Sequence, residues 1–295
     1  YEMLRSLVGS EMCIRDRESP QPDRGQPMTE RMSNAPVYYA LAKVSFNPIP
    51  AMADPYVARV QDALRQAGFP LFESRQQVQL VIPEPTGGQP PEPKIIHAPS
   101  WLMTRQDRTE GFILDQDSIT FHTTHYKTHR EFIESALLGL ETVHKVVTLD
   151  FVSRIGMRYL DAVIPREGES VEQYLMPGLH GLSLPQHPIG YTLSESLFAT
   201  ETRPLVSHGT LVHRTYRFYA ALGFPPDLQP GNLKLNAQFP HDTELPHAII
   251  DTDHFVQGQM QLDMVLLEEQ MRSLHSVIKT AFHAAVTKHA LSVWS

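Results

Sequence analysis

An α+β fold is what this sequence predicts: mixed, mainly antiparallel sheet packed by a few helices, with a long amphipathic helix near the end. Three observations carry the prediction. Runs rich in β-branched and aromatic residues recur between Val37 and Phe255, several of them only a few turn residues apart, as in antiparallel meanders. Three windows place apolar residues at helical spacing. The stretches between them are rich in Pro and Gly, which cannot continue either element.

Taken in order, "VYYALAKVSF" (37–46) reads as the first strand. Asp54-Pro55 reads as an N-cap followed by an N1 proline. Val57, Val60, Leu64 and Ala67 then follow at helical spacing up to Gly68, a C′ glycine. "QVQLVI" (77–82) is a strand, and "PEPTGGQPPEPK" (83–94) a surface loop that cannot pack. "WLMTR" (101–105), "GFILD" (111–115) and "SITFHTT" (118–124) form a tightly spaced meander. Thr128 and Glu131 make a capping box for a helix whose core face is Phe132, Ala136, Leu140, Val143 and Val147. "DFVSRIGMRYLDAVI" (150–164) is a long strand ended by Pro165.

Residues 166–188 are broken by Gly and Pro, with one helical turn at "SVEQYL". Two long strands follow at 190–201 and 209–222, then a Pro-rich connection (224–230), "GNLKLNAQF" and a strand at 247–255. The last helix is expected over 261–290, about 45 Å long. Leu267, Met271, Leu274, Ile278, Ala281, Phe282 and Ala285 form its apolar side. Glu268, Arg272, His275, Lys279, His283 and Thr287 form its polar side. Within the globular part, 32–165 reads as an N-terminal α+β half and 166–295 as a β-rich half, in one compact unit or two tightly packed ones.

Residues 1–31 stand apart. Leu7–Arg17, "LVGSEMCIRDR", back-translates into the transposon-end adapter used to build sequencing libraries, and the polar "ESPQPDRGQP" after it has no apolar period. The segment is read as adapter plus tail, with the native start at Met28 or Met32. No apolar run after a basic start makes it a signal peptide. Without it, 20 basic and 27 acidic residues leave a formal balance of −7. Such an acidic balance argues against a general nucleic-acid binder, which shows a basic face. Cys13 is the only cysteine, so no disulfide framework or Cys-type zinc site is available, which fits a reducing cytoplasm. No run approaches the ~20 apolar residues of a membrane span. The 15 histidines all follow residue 96 and would offset the negative charge below about pH 6.

Four stretches together resemble a known group: "ALAKVSFNPI", "SITFHTTHYKTHREFIESALLGL", "VSRIGMRYLDAV" and "AIIDTDHF". They are similar to the TIGR family of sporadically distributed prokaryotic proteins of unknown function, across nearly all of 37–294. The most specific element is Arg154-Ile155-Gly156-x-Arg158-Tyr159. That family often has Asn two residues after the Tyr, where this chain has Asp161. The resemblance implies a fold and boundaries but no reaction. The scattered occurrence of the family implies an accessory or defence-type role.

Two clusters could carry chemistry. In an extended strand Arg154, Gly156 and Arg158 share one face, opposite Ile155, Met157 and Tyr159. The guanidiniums either bind an anion bidentately, with Gly156 allowing its approach, or pair with carboxylates across the sheet. In "DTDH", Asp251 and Asp253 share a face and His254 takes the other. The carboxylates either hold a hard cation such as Mg²⁺, joined by His254 only if the strand bends, or pair with Arg154 and Arg158. "HTTHYKTH" resembles a metal run, but His122 and His125 face opposite ways and His129 opens a helix, whereas zinc needs ligands converging at about 2 Å.

A G-x-S-x-G elbow, a Walker A loop and a dinucleotide glycine motif are all missing, and no cofactor is implied. The expected function is therefore a cytoplasmic binding or regulatory module, homo-oligomeric or paired with a protein partner. The alternative is a metal-assisted phosphate or phosphodiester hydrolase using Asp251 and Asp253 for the ion and Arg154 and Arg158 for phosphate. Binding predicts an exposed apolar patch and satisfied arginines; hydrolysis predicts a cleft where carboxylates, a histidine and an arginine converge.

Overall fold

The computed structural model describes residues 32–81, 94–182 and 191–295. The segment 1–31 and most of the loop expected at 83–94 lie outside them. Met32–Ser295 form one compact unit. Among the described residues nine strands make a single sheet whose named pairs are all antiparallel. The elements are β1 (Val37–Phe46), α1 (Tyr56–Gln66), β2 (Leu71–Val81), β3 (Lys94–Thr104), β4 (Glu110–Leu114), β5 (Ser118–Thr123) and α2 (His129–Val147). They continue with β6 (Phe151–Val163), β7 (Tyr191–Glu201), β8 (His208–Ala220), β9 (Leu245–Gln261), α3 (Met264–Ala285) and α4 (Lys288–Trp294). The strand order is β2-β3-β4-β5-β1-β6-β9-β8-β7, so β1, β6 and β9 are central and β2 and β7 are edges. Because β6 joins β1 on one side and β9 on the other, the two halves read from the sequence share one sheet.

Alternation along β6 divides the core. Ile155, Met157 and Tyr159 point to the helix side, where they pack with Leu140 and Val143 of α2 and Leu274 and Ile278 of α3. Gly139 lets α2 approach β4 closely, since a Cβ there would sit 2.4 Å from the Phe112 ring. Leu160 and Ala162 point the other way, into a cluster with Tyr38, Tyr39, Tyr216 and Ile249. Among the described residues no helix joins that cluster. The connection between β8 and β9 does, laying Leu222, Phe224, Leu228 and Phe239 over it as a strap. A register shift between Val37 and Tyr39 lets the adjacent residues Tyr38 and Tyr39 both join this cluster.

Several boundaries differ from the sequence reading. Pro55 itself takes the N-cap position of α1, which begins at Tyr56, so Asp54 lies one residue outside and makes no cap. β2 starts at Leu71 and β3 at Lys94, six and seven residues before the strands read from the sequence, because the two pair residue by residue along the whole ladder. β9 runs over 17 residues, to Gln261. The helix expected at 261–290 is two helices. Asp263 caps α3, accepting from the Val265 and Leu266 amides, and α3 ends at Ala285 after 22 residues, about 33 Å. Val286 is extended and bridges Leu175, and Thr287 caps α4 by accepting from the Ala290 amide. The turn expected in "SVEQYL" is a 3₁₀ turn at Val171–Gln173, with Ser170 and Gln173 closing a capping box. Among the described residues no helix is long and apolar enough to cross a membrane.

Candidate functional site

The β6–β9 ladder brings the arginines and aspartates together. Arg158 lies directly opposite Asp253 and Leu160 opposite Asp251, so all four side chains share the face away from the helices. β8 extends the array, with Arg214 opposite Asp251, and β7 adds Glu195 opposite Arg214. The strap supplies Asp227.

Arg158 is the hub. Its Nε and Nη2 donate to Asp251 Oδ1 and Oδ2, both at 2.7 Å, and its Nη1 and Nη2 donate to Asp227 Oδ2 and Oδ1 at 2.6 and 3.1 Å. Both edges of the guanidinium fork are thus occupied bidentately. Burial works against the Arg158 charge, but the bonds to Asp251 and Asp227 outweigh it and hold the guanidinium above its ordinary range. Those bonds likewise hold Asp227 below the usual carboxylate range. The two partners differ in setting: the Asp251 side chain is 0% exposed and that of Asp227 is 59% exposed. Arg214 repeats the arrangement at lower intimacy. Its Nη1 lies 3.6 Å from Asp251 Oδ2, and its Nε donates at 2.5 Å to Glu195, whose side chain is 50% exposed.

Arg154 takes a different course. Its guanidinium lies across Gly156 and over the Phe255 ring, 4.3 Å from the centroid, with Nη2 3.9 Å from Asp253. A Cβ on Gly156 would fall 2.9 Å from Arg154 Nη1. The space above the glycine therefore seats the protein's own guanidinium, where the sequence suggested an incoming anion. Burial lowers the Arg154 pKa against the pull of Asp253, and burial raises that of Asp253.

His254 points to the helix side, as alternation requires. Its Nδ1 bonds with the Leu274 carbonyl at 3.0 Å and its Nε2 with Thr200 Oγ1 at 2.7 Å, and burial keeps its pKa low. It cannot meet Asp251 and Asp253 around one ion. Two guanidiniums already place positive charge where a cation on Asp251 would sit. Among the described residues no three His, Cys, Asp or Glu side chains are grouped to hold a metal.

The "HTTHYKTH" histidines separate. His122 is fully buried with Nδ1 3.1 Å from the Tyr39 hydroxyl, and burial, then Arg75, push it down to about 3. His125 is exposed. His129 stacks on His275 at 4.7 Å, and burial, with His129 next, pushes His275 down to about 4. His275 thus sits partly under the α2–α3 contact, although its helical position reads as polar. Seven described histidines have lowered pKa values, so only part of the histidine set counters the negative charge on mild acidification.

Sequence reasoning missed Asp227, Arg214 and Glu195. Arg214 and Glu195 alternate correctly within their strands, but only the strand order β9-β8-β7 places them beside Asp251. Asp227 sits in "PPDLQP", where no local signal marks its partner. Beyond this array, β7 carries Tyr191, Leu193, Leu197 and Phe198 exposed, with Leu197 at 70%. Phe198 also lines a cavity of about 420 Å³ with Met176, Leu179, Leu211, Val277 and Ala281. No protein-family model and no curated protein matches the chain.

Proposed function

We propose that this chain is a binding or regulatory module whose recognition surface is the outer edge of β7, with a second copy of the chain as its first partner. The observation that carries this reading is the contrast between occupied arginines and an uncovered apolar edge. β7 is 11 residues long, contains no Pro, and ends the sheet with its outer backbone groups unpaired among the described residues. Natural edge strands are normally blunted by charge, proline or a bulge. This one instead exposes Leu193 and Leu197 on one face and Phe198 on the other. Its only charges are Glu195 and Glu201. Antiparallel self-pairing about a twofold axis at Leu197 sets Leu197 against itself, Glu195 against Ala199 and Glu201 against Leu193, with no carboxylate facing another. Strand addition draws affinity from backbone bonds and specificity from alternate side chains.

The hydrolase alternative has less support. It needs carboxylates, a histidine and an arginine converging on an open cleft, whereas Asp251 is sealed by Arg158 and His254 faces away. A cytoplasmic setting belongs to the proposal and is supported by the lack of cysteine after Cys13. The accessory role implied by the family resemblance is compatible with it. Sedimentation velocity across a concentration series tests the reading. Wild type should show a monomer–dimer equilibrium that Leu197→Lys shifts to monomer. A wild-type monomer at every concentration, or a dimer indifferent to Leu197→Lys, would reject it.

A further inference from the structure

The two edges of the Arg158 fork are held by carboxylates of opposite character. Asp251 is rooted in a central strand and fully buried, so its bonds to Arg158 cannot be released without stranding a charge. Asp227 rides on the strap between β8 and β9, and its side chain is 59% exposed. Ion pairs with so exposed a partner contribute little and exchange readily. Arg214 shows the same division, its Nη1 toward buried Asp251 and its Nε on the half-exposed Glu195. Arg214 also lies near enough to Asp227 to favour its charge.

We propose that Arg158, supported by Arg214, is a receptor for the carboxylate of a small organic acid, and that Asp227 is an internal placeholder displaced on binding. The incoming carboxylate takes the position the Asp227 carboxylate now holds, so no separate cavity has to exist beforehand. Its planar pair of oxygens accepts from Nη1 and Nη2 as Asp227 does. The exchange replaces one negative charge by one. A phosphate dianion would bring a second charge beside Asp251 and Asp253 and is disfavoured on that ground. Release of Asp227 frees the strap locally, while Tyr38 still holds it at the Gly223 carbonyl and the Lys234 backbone at Arg108 and Thr124. Binding is therefore read out as strap motion above a sheet that stays folded.

The test uses the full chain, Asp227→Ala and Asp227→Ala/Arg214→Gln, with acetate and succinate as probes against chloride and phosphate at fixed ionic strength. Calorimetry should show carboxylates binding Asp227→Ala about fivefold more tightly than wild type, the factor matching an exposed ion pair of about 1 kcal/mol. Arg214→Gln should weaken that binding. Limited proteolysis within 221–244 should increase in wild type when carboxylate is added, and should be raised in Asp227→Ala with or without it. Equal responses to chloride and acetate, or no carboxylate binding by Asp227→Ala, would overturn the proposal. So would an Asp227→Ala chain that fails to fold, because Asp227 would then be structural. None of these outcomes depends on the β7 association.

Discussion

The centre and the edge of this sheet solve opposite problems. At the centre, β6 and β9 bury charge: Arg158 is 8% exposed, Asp251 not at all, and each oxygen of Asp251 accepts from the guanidinium. At the edge, β7 exposes apolar side chains that nothing in the described chain covers. Buried ion pairs add little net stability over apolar packing, but losing one member is severe because the other charge remains. Exposed apolar residues are the reverse, since changing them costs the fold little and changes what the surface can meet. The centre is thus where substitution breaks the molecule, and the edge where substitution alters its associations.

The largest effect should come from Arg158→Ala, which strips buried Asp251 of both its guanidinium hydrogen bonds and leaves only the longer contact to Arg214. A loss of about 3–5 kcal/mol is expected, seen as a melting temperature lowered by roughly 10 °C. Asp227→Asn, on the exposed side of the same guanidinium, should cost about 1 kcal/mol or less. Equal losses in the two variants would erase the distinction between buried and exposed partners.

Acidification probes the interior in a second way. His122 and His275 have folded pKa values of about 3 and about 4, below the ordinary histidine value of 6.5. The unfolded chain takes their protons first, so their contribution is present above pH 6.5 and is lost as pH falls, toward about 4 for His275 and about 3 for His122. Each contributes a slope of up to about 1.4 kcal/mol per pH unit. Asp161 acts in the opposite sense. Burial, with Asp251 second, raises it to about 7, so its contribution is present at low pH and lost as pH rises through 7. Urea melts at pH 8 should therefore find Asp161→Asn more stable than wild type.

A smaller loss, about 1 kcal/mol, is expected for Gly156→Ala, whose Cβ must push the Arg154 guanidinium off Phe255. Arg154→Ala should remove the extra cost of the alanine at 156, which a double-mutant cycle in chemical denaturation would reveal. The smallest effect on stability belongs to Leu197→Lys, within about 0.5 kcal/mol.

How much could be read in advance follows from the range of each determinant. Periodicity and capping are local, so the helix opened by Thr128 and the strand carrying Arg154 and Arg158 were legible. So was the face those arginines share, because alternation decides it. The end of α3 was not, since Val286 leaves the helix to bridge Leu175, more than a hundred residues earlier. The partners of Arg158 were half legible. Asp251 was named from its own strand pattern, but the pairing of β6 with β9 that delivers it is a long-range choice of strand order. Asp227 depends on the path of the strap and left no trace in local sequence.

Hydrogen–deuterium exchange across a concentration series tests the central contrast most directly. If β7 is the recognition edge, amide protection within 191–201 should rise with protein concentration while β6 and β9 stay uniformly slow. Leu197→Lys should abolish that rise and leave the centre unchanged. Protection of β7 that never varies with concentration, or a rise confined to another surface, would contradict the account.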